Sequence, residues 1–307
     1  MTAMEQLVRR QEIGEDLRSV VHVMKSLSAV SIKQFDTAAE TLREYQSAIR
    51  LGLQAVLRQT TLKANIAYAR EGADICVIVG SDRGLCGRFN EAVADFAEAK
   101  REDAKGQGRE ALFLTVGGRA AERMEARGVE SDAVLSAPAT VAALSETVES
   151  LIVEIDQRRA AFNVEKIIVV HNARTDEALA HVREQAILPV TEEWLSGLKE
   201  KPWPARGLPT FTVGADQLFS ELIREHLFVS LFRAVTESVA SEHASRLAAM
   251  QRAERHIEEF LATLGAEIRE QRQSSITQEL LDVVASFDVL QMRRGREDQR
   301  KRDYLDA

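Results

Sequence analysis

The stretch whose residue types come closest to a ligand site is residues 80–90, with the sequence GSDRGLCGRFN. It follows a short β-branched run, and a glycine-bearing loop at a strand end can hold a phosphate because backbone N–H groups at a helix start attract anions. Its glycines fit neither the GxGxxG pattern nor a Walker A loop, since no lysine followed by serine or threonine closes the stretch. We therefore favour a shaped surface loop that presents Arg83 and Leu85 to a protein partner.

Histidines and cysteines offer no second centre of chemistry. His226 and His243 lie among carboxylates, but the HxxxH and HExxH patterns are absent, so they are read as surface or seam histidines. Cys76 and Cys86 form no CxxC pair, and no GxSxG motif occurs. The sequence predicts no catalytic residue, no cofactor and no metal site in this chain.

Composition limits the class of protein. With 307 residues and 45% hydrophobic content the chain can form one large or two ordinary domains, and its net charge of −8 argues against a nucleic-acid binder. Two cysteines are too few for a disulfide framework and indicate a reduced, intracellular protein. No run of about 20 apolar residues and no signal peptide is present.

The chain begins and ends with a long predicted helix. Residues 214–290 contain no proline and predict one helix about 110 Å long at 1.5 Å per residue. Its apolar residues follow the three-four spacing of a helix seam: Leu247, Met250, Ile257, Leu261, Leu264 and Ile268. Residues 6–58 supply the partner helix, with a matching seam: Leu17, Val21, Met24, Ser28, Ser31, Phe35, Ala38, Leu42, Tyr45, Ile49 and Leu53.

Between the helices the pattern changes to alternating strands and helices, which predicts a mostly parallel sheet packed by helices. The predicted strands are residues 74–80, 111–116, 166–171 and 208–213, and the predicted helices are residues 90–100, 118–127 and 139–161. The division is therefore a helix over 1–60, an α/β domain over 61–213, a helix over 214–290, and a charged, mobile or weakly helical tail over 291–307.

Three motifs resemble one family. The loop SDRGLCGRFN resembles the SDRGLCGG-(Y/F)-N loop of the γ subunit of F-type ATP synthases, and VMKSLSAVSIK (residues 23–33) is similar to that family's AMKMVAASKLR segment. Near the C-terminus, ASEHASRLAAMQRA and RQSSITQEL resemble its ASEHAARMAAMxxA and RQAxITxEL motifs. The divergent N-terminal helix and the tail beyond residue 290 resemble the alternate, N-type bacterial form.

The resemblance implies a fold and a function. The fold would be α/β plus a long coiled coil, in which the N- and C-terminal helices form an antiparallel two-helix coiled coil around a central Rossmann-like α/β domain. The chain would be the central rotor shaft, coupling ion flow to ATP synthesis or hydrolysis at the β subunits. Its partners would be the α and β subunits of the catalytic hexamer, the ε subunit and the membrane c-ring. It would lie at the cytoplasmic face of the bacterial inner membrane as a peripheral protein.

The resemblance also implies contact residues. Arg272, Gln273, Thr277 and Glu279 match polar contacts between shaft and β subunit. Met24 and Lys25 match the segment that faces the moving lever loops of the β subunits, and Arg83 with Cys86 matches the loop near the same lever. An apolar tip for a bearing would be formed by Leu280, Leu281, Val283, Val284 and Phe287.

Two other classes of protein fit parts of the pattern. A nucleotide-binding α/β enzyme dimerised by its helices would explain the glycine-bearing loop, and titration with nucleotides would reveal it. A coiled-coil scaffold would explain the helices and predicts a seam between chains, which mixing of labelled chains would detect.

Overall fold

The computed structural model describes residues 3–60 and 72–305. In chain order its elements are α1 (Ala3–Gln59), β1 (Ala73–Val79), α2 (Phe89–Gly106), β2 (Ala111–Val116), α3 (Gly118–Glu125), β3 (Ala133–Leu135), a short 3-10 turn (Val141–Ala143), α4 (Leu144–Ala161), β4 (Val164–Ala173), β5 (His181–Leu188), α5 (Glu192–Glu200) and α6 (Ala215–Leu305). The chain divides into two compact units. The central unit is Met24–Gln251, and the helical unit combines α1 up to Val23 with α6 from Arg252.

The centre of the larger unit is a five-stranded sheet in the order β3-β2-β1-β4-β5. β1 lies between β2 and β4 and is parallel to both, so its seven residues are buried on both faces. One face packs against apolar residues of α1, α4 and α6, and the other packs against α2 and α3. The predicted α/β domain with helices on both faces of a mostly parallel sheet is confirmed.

The edges of the sheet differ from the prediction. The strand predicted at 208–213 is wrong: that segment is not in the sheet, and Pro209 instead accepts a hydrogen bond from Gln59 Nε2 at 2.8 Å. The fifth strand is β5, which pairs antiparallel with β4. β5 (HVREQAIL) was missed because an edge strand exposes polar residues and lacks the continuous apolar run of a buried strand.

The two long helices pair in the predicted antiparallel sense. Within the central unit, Phe35 stacks on His243 with ring centroids 6.0 Å apart, and Tyr45 donates a hydrogen bond to Glu225 at 2.8 Å. Phe35 lies before Tyr45 on α1, whereas its partner lies after Glu225 on α6, so the helices run in opposite directions. Ser28, Phe35, Ile49 and Leu53 are buried as the seam predicts, although Tyr45 is 46% exposed.

In the helical unit the seam follows a different line on α1. Leu17, a predicted seam residue, is 51% exposed, whereas Gly14 is buried. A Cβ atom at Gly14 would lie 2.7 Å from Leu261 Cδ2, so this glycine permits close approach of the helices. On α6 the predicted seam holds, with Met250 (in the central unit) and Leu264 both buried.

The end of α6 also differs from the prediction. The sequence predicted a mobile or weakly helical tail, but the helix continues through residues 291–305. The segment is rich in Arg, Lys, Glu and Gln, all of which favour helix, and it contains no proline. Residues 306 and 307 lie outside the described part, and the domain boundaries at 60, 213 and 290 stay a prediction.

Leu264 and Leu281 allow a matched test of the helical unit. Leu264 is 2% exposed in the seam and Leu281 is 63% exposed. We expect Leu264→Ala to lower the free energy of unfolding by about 2–3 kcal/mol, because it leaves a cavity between the helices. Leu281→Ala is expected to change it by less than about 0.5 kcal/mol in the free chain. Urea unfolding followed by circular dichroism measures both, and equal effects would contradict the assigned seam.

Candidate functional site

The loop after β1 is held in shape by its own side chains. Ser81 N–H donates to Asn90 Oδ1 at 3.0 Å, and Asn90 Nδ2 donates back to Ser81 Oγ at 2.8 Å. Ser81 Oγ also lies 2.8 Å from the carbonyl oxygen of Arg83 and donates to it. Asn90, in the first turn of α2, therefore closes the loop on itself.

A second set of contacts fixes the loop against the start of α3. Asp82 accepts hydrogen bonds from Gly118 N–H at 2.8 Å and Ala137 N–H at 3.0 Å. Gly117 has φ +105°, and a Cβ there would lie 2.6–2.7 Å from backbone atoms of Ser81. The N–H group of Arg119 donates to the Ser81 carbonyl oxygen at 3.0 Å. The segments after β1 and after β2 thus fit together only if residue 117 is glycine.

The contacts of these N–H groups test the alternative that the loop over residues 80–90 holds a phosphate. An anion site at a helix start requires N–H groups that point at the ligand. Here the N–H groups of Ser81, Gly118 and Arg119 already donate to acceptors of the chain itself. These three N–H groups therefore hold the backbone of the chain itself and are not free for a phosphate.

Helix α6 contacts the loop through a buried ion pair. Glu242 and Arg246 form a salt bridge one turn apart, with side chains 9% and 7% exposed. Arg246 Nη2 also lies 3.4 Å from the carbonyl oxygen of Gly84 and donates to it. Burial raises the pKa of Glu242, and the neighbouring Arg246 opposes that rise. Arg246 therefore connects a helix of the coiled coil to the tip of the loop.

His243 belongs to the same cluster. Its Nδ1 lies 3.5 Å from Arg246 Nη1, and its ring stacks on Phe35. Burial, together with the charge of Arg246, lowers the pKa of His243 to about 4, so the ring is neutral at pH 7. Sequence reasoning placed His243 at the surface or in a seam and did not predict the role of Glu242 and Arg246. Their i,i+4 spacing was the available signal.

The loop exposes Arg83 and Leu85 and buries Cys86. Leu85 has φ +63° and is 64% exposed, and Arg83 is also exposed, as the sequence predicted. Cys86 was predicted to contact a partner, but its side chain is 3% exposed and its Sγ lies 3.7 Å from the carbonyl oxygen of Arg83. Burial also raises the pKa of this thiol. A partner would meet Leu85 and Arg83 before it met the Cys86 sulfur.

The other predicted contact residues lie on the long helices. Met24 and Lys25 are half-buried on α1, in the same unit as the loop. On α6 the polar set is exposed along two turns: Arg272, Gln273, Thr277 and Glu279. Thr277 Oγ1 donates to the carbonyl oxygen of Gln273 at 2.8 Å. The structure thus groups Arg83 with Cys86, and separately groups the four α6 residues in the helical unit.

The apolar tip follows directly after that polar set. Its five side chains are 57–64% exposed: Leu280, Leu281, Val283, Val284 and Phe287. All residues from 272 to 287 are exposed, so within the described part of the chain most of this apolar surface is open to solvent.

None of the helices in residues 3–60 and 72–305 combines the length with the apolar content that a membrane crossing needs.

Comparison with known proteins assigns the family. A family model described as ATP synthase matches residues 3–290. The ATP synthase gamma chain of Bdellovibrio bacteriovorus is 24% identical over 297 residues, covering 94% of this chain and 99% of that protein. The ATP synthase gamma chain of an Anaeromyxobacter species is 26% identical over 292 residues, covering 92% and 97%.

Solved structures show the same fold. A chain of the Euglena gracilis mitochondrial ATP synthase, in a structure of its OSCP, F1 and c-ring, superposes with a TM-score of 0.67 and covers 94% of each chain at 15% identity. A chain of the rotor of the same enzyme superposes with a TM-score of 0.61. The match over residues 3–290 agrees with the motif-bearing loop and the paired helices described above. The chain therefore belongs to the ATP synthase family, among its γ chains.

Proposed function

We propose that this chain is the central rotor shaft of a bacterial F-type ATP synthase and couples ion flow through the c-ring to ATP synthesis or hydrolysis at the β subunits. The observation that carries the proposal is the exposed segment 272–287 of α6, in which a polar set is followed by an apolar tip. Five large apolar side chains on an exposed stretch of helix require a surrounding surface. A ring of α and β subunits supplies such a surface as a bearing.

The contact residues follow from the same proposal. Arg272, Gln273, Thr277 and Glu279 bind the β subunit, since all four are exposed next to the tip. Met24, Lys25 and Arg83 meet the lever loops of β, with Leu85 as the leading apolar side chain and the buried Cys86 packed behind them in the same loop. The left-handed backbone at Leu85 costs about 1–2 kcal/mol, and such strain concentrates where a side chain must be held out for a partner.

The other partners and the location complete the proposal. The ε subunit and the c-ring bind the sheet-containing central unit, which places the chain at the cytoplasmic face of the inner membrane as a peripheral subunit. The assignment to the alternate N-type form stays a prediction.

The proposed coupling mechanism follows from the mismatch between one asymmetric shaft and three equivalent α/β pairs. A single asymmetric shaft cannot make the same contacts with three α/β pairs, so each orientation stabilises a different state at each catalytic site. Rotation moves these unequal contacts from one site to the next. The long paired helices carry the torque between the ion-driven ring and the nucleotide sites.

The bearing can be tested without disturbing the fold. We expect Leu281→Ser with Val284→Ser to leave the stability of the free chain unchanged, because both side chains are more than half exposed. Binding to the α and β subunits should weaken at least about tenfold, because two apolar contacts are lost. Val153→Ser removes an equally exposed side chain from α4 and serves as the control. Affinity is measured by pull-down of reconstituted complexes at graded subunit concentrations, and normal assembly of the double variant would refute the bearing.

A truncation tests whether residues 291–307, which follow the apolar tip, are needed for assembly. The family model ends at residue 290, and the apolar tip ends before it. We therefore expect the chain without residues 291–307 to form the complex with α and β in full yield. Size-exclusion chromatography of the complex measures the outcome, and loss of α and β would show that the extension itself holds the assembly.

A further inference from the structure

A cavity of about 430 Å³ lies at the carboxyl end of β4, within the central unit. Its walls come from α1, the end of β4, β5 and α6. The strand order reverses between β1 and β4, and β4 carries the cavity at its carboxyl end, where Arg183 of β5 also lines it. Ligands of open α/β sheets bind outside the carboxyl ends of strands.

Guanidinium groups from four separate elements line the cavity. They are Arg43 of α1, Arg174 just after β4, Arg183 of β5 and Arg233 of α6. Each guanidinium carries five N–H donors and no acceptor. The convergence of four such groups makes the cavity rich in donors.

Two of the three carboxylates in the lining are already engaged. Glu237 accepts from Arg233 Nε at 2.7 Å and lies 3.2 Å from His171 Nε2, while Arg183 approaches it only at 3.7 Å. Burial alone would raise the pKa of Glu237, but the hydrogen bonds from His171 and Arg233 outweigh burial and lower it to about 2. Asp36 is paired with Arg174. Glu237 is therefore ionised, and both carboxylates already have arginine partners.

Donors remain after this pairing. In the described part of the chain, no ion pair engages Arg43, and the 3.7 Å approach to Glu237 is the one ion pair that engages Arg183. The third carboxylate, Glu40, is exposed and lies one turn before Arg43. Four guanidinium charges face three carboxylates, so the cavity carries a net charge of +1 in a chain whose net charge is −8.

We propose that this cavity binds a phosphate group, either free orthophosphate or the phosphate of a small nucleotide, with Arg43 and Arg183 as its direct ligands. A phosphate offers only acceptors, and its oxygens match the forked donors of arginine. A bound phosphate would join α1 to β5 at the edge of the sheet. The cavity shares no residue with the surfaces assigned to the α and β subunits, and it does not depend on the rotor function.

Substitutions of Glu40 and Arg43, which lie one turn apart on α1, are expected to change the affinity for phosphate in opposite directions. Isothermal titration of the full chain at physiological ionic strength uses inorganic phosphate in one arm and ATP in the other. We expect one saturable site. Arg43→Gln should weaken it about fivefold or more by removing a charged donor, and Glu40→Gln should strengthen it by removing a repelling carboxylate. Arg206→Gln, at an exposed arginine far along the chain, should leave the affinity unchanged.

Each outcome decides something. Saturation by inorganic phosphate, alone or together with ATP, supports a site for the phosphate group itself, and saturation by ATP alone supports a site for the phosphate of a nucleotide. Absence of saturable heat in both arms overturns the proposal. Equal weakening by Arg43→Gln and Arg206→Gln also overturns it, because that result reports only non-specific attraction of anions. Because Arg43 and Glu40 are exposed, circular dichroism should show all three variants folded as the parent chain.

Discussion

Arg246→Ala is expected to lower the free energy of unfolding of the central unit by about 3–5 kcal/mol. The substitution leaves Glu242 buried without its partner, at a position where the side chain is only 9% exposed. It also removes the donor to the Gly84 carbonyl oxygen, so the loop that carries Arg83 and Leu85 loses its support from α6. The expected result is therefore a loss of stability together with weaker binding of the β subunit.

Replacement of both partners separates pairing from packing. Glu242→Gln with Arg246→Met keeps the volume of the two side chains but removes both charges. We expect it to cost less than Arg246→Ala alone, because no unpaired buried charge remains. Arg119→Ala breaks a more exposed pair, with side chains 42% and 61% exposed, and should cost less than about 1 kcal/mol. Urea unfolding measures all three variants, and an Arg246→Ala effect as small as that of Arg119→Ala would contradict the buried pair.

Gly117→Ala is expected to be nearly as severe, at about 3–5 kcal/mol. The position has φ +105°, which strains any L side chain, and the added Cβ would lie 2.6–2.7 Å from backbone atoms of Ser81. Backbone atoms cannot move aside as a flexible side chain can, so the start of α3 must separate from the loop.

Gly84→Ala is the matched control for this prediction. Gly84 lies in the same loop, but a Cβ there meets nothing within 4 Å and its φ is not positive. We expect a change within about 0.5 kcal/mol. Thermal unfolding of the two variants gives the comparison. Similar melting temperatures would show that the contact between Gly117 and Ser81 does not hold the loop.

Much of the fold could be predicted because its signals are local. The three-four spacing of α6 and the β-branched runs of β1, β2 and β4 each lie within one continuous stretch of sequence. β5 could not be predicted in this way, because its polar residues face solvent at the edge of the sheet. Residues 208–213 looked like a strand because they are β-prone, but strand formation needs a free edge of the sheet, and β5 occupies the edge beside β4.

The seam between the two long helices also shows, at single residues, what a local sequence pattern cannot predict. Leu17 fits the apolar period, yet it is 51% exposed while Gly14 is buried against Leu261. Apolar residues at helical spacing are compatible with two neighbouring lines on the helix surface. Packing against the partner helix determines which of the two lines is buried. A glycine in the seam carries no hydrophobic signal, so sequence reasoning passed over it.

The sequence by itself determined the long helices, the α/β centre and the loop motif, because each rests on residue types at short spacing. Only the tertiary structure decided how that loop is held. Arg246 reaches the Gly84 carbonyl oxygen across 162 residues of chain, and Gly117 meets Ser81 only because β1 and β2 are adjacent. The structure likewise placed the Cys86 thiol inside the loop and Leu85 outside it. Burial and distant contacts depend on how elements pack, and no local pattern of residues contains that information.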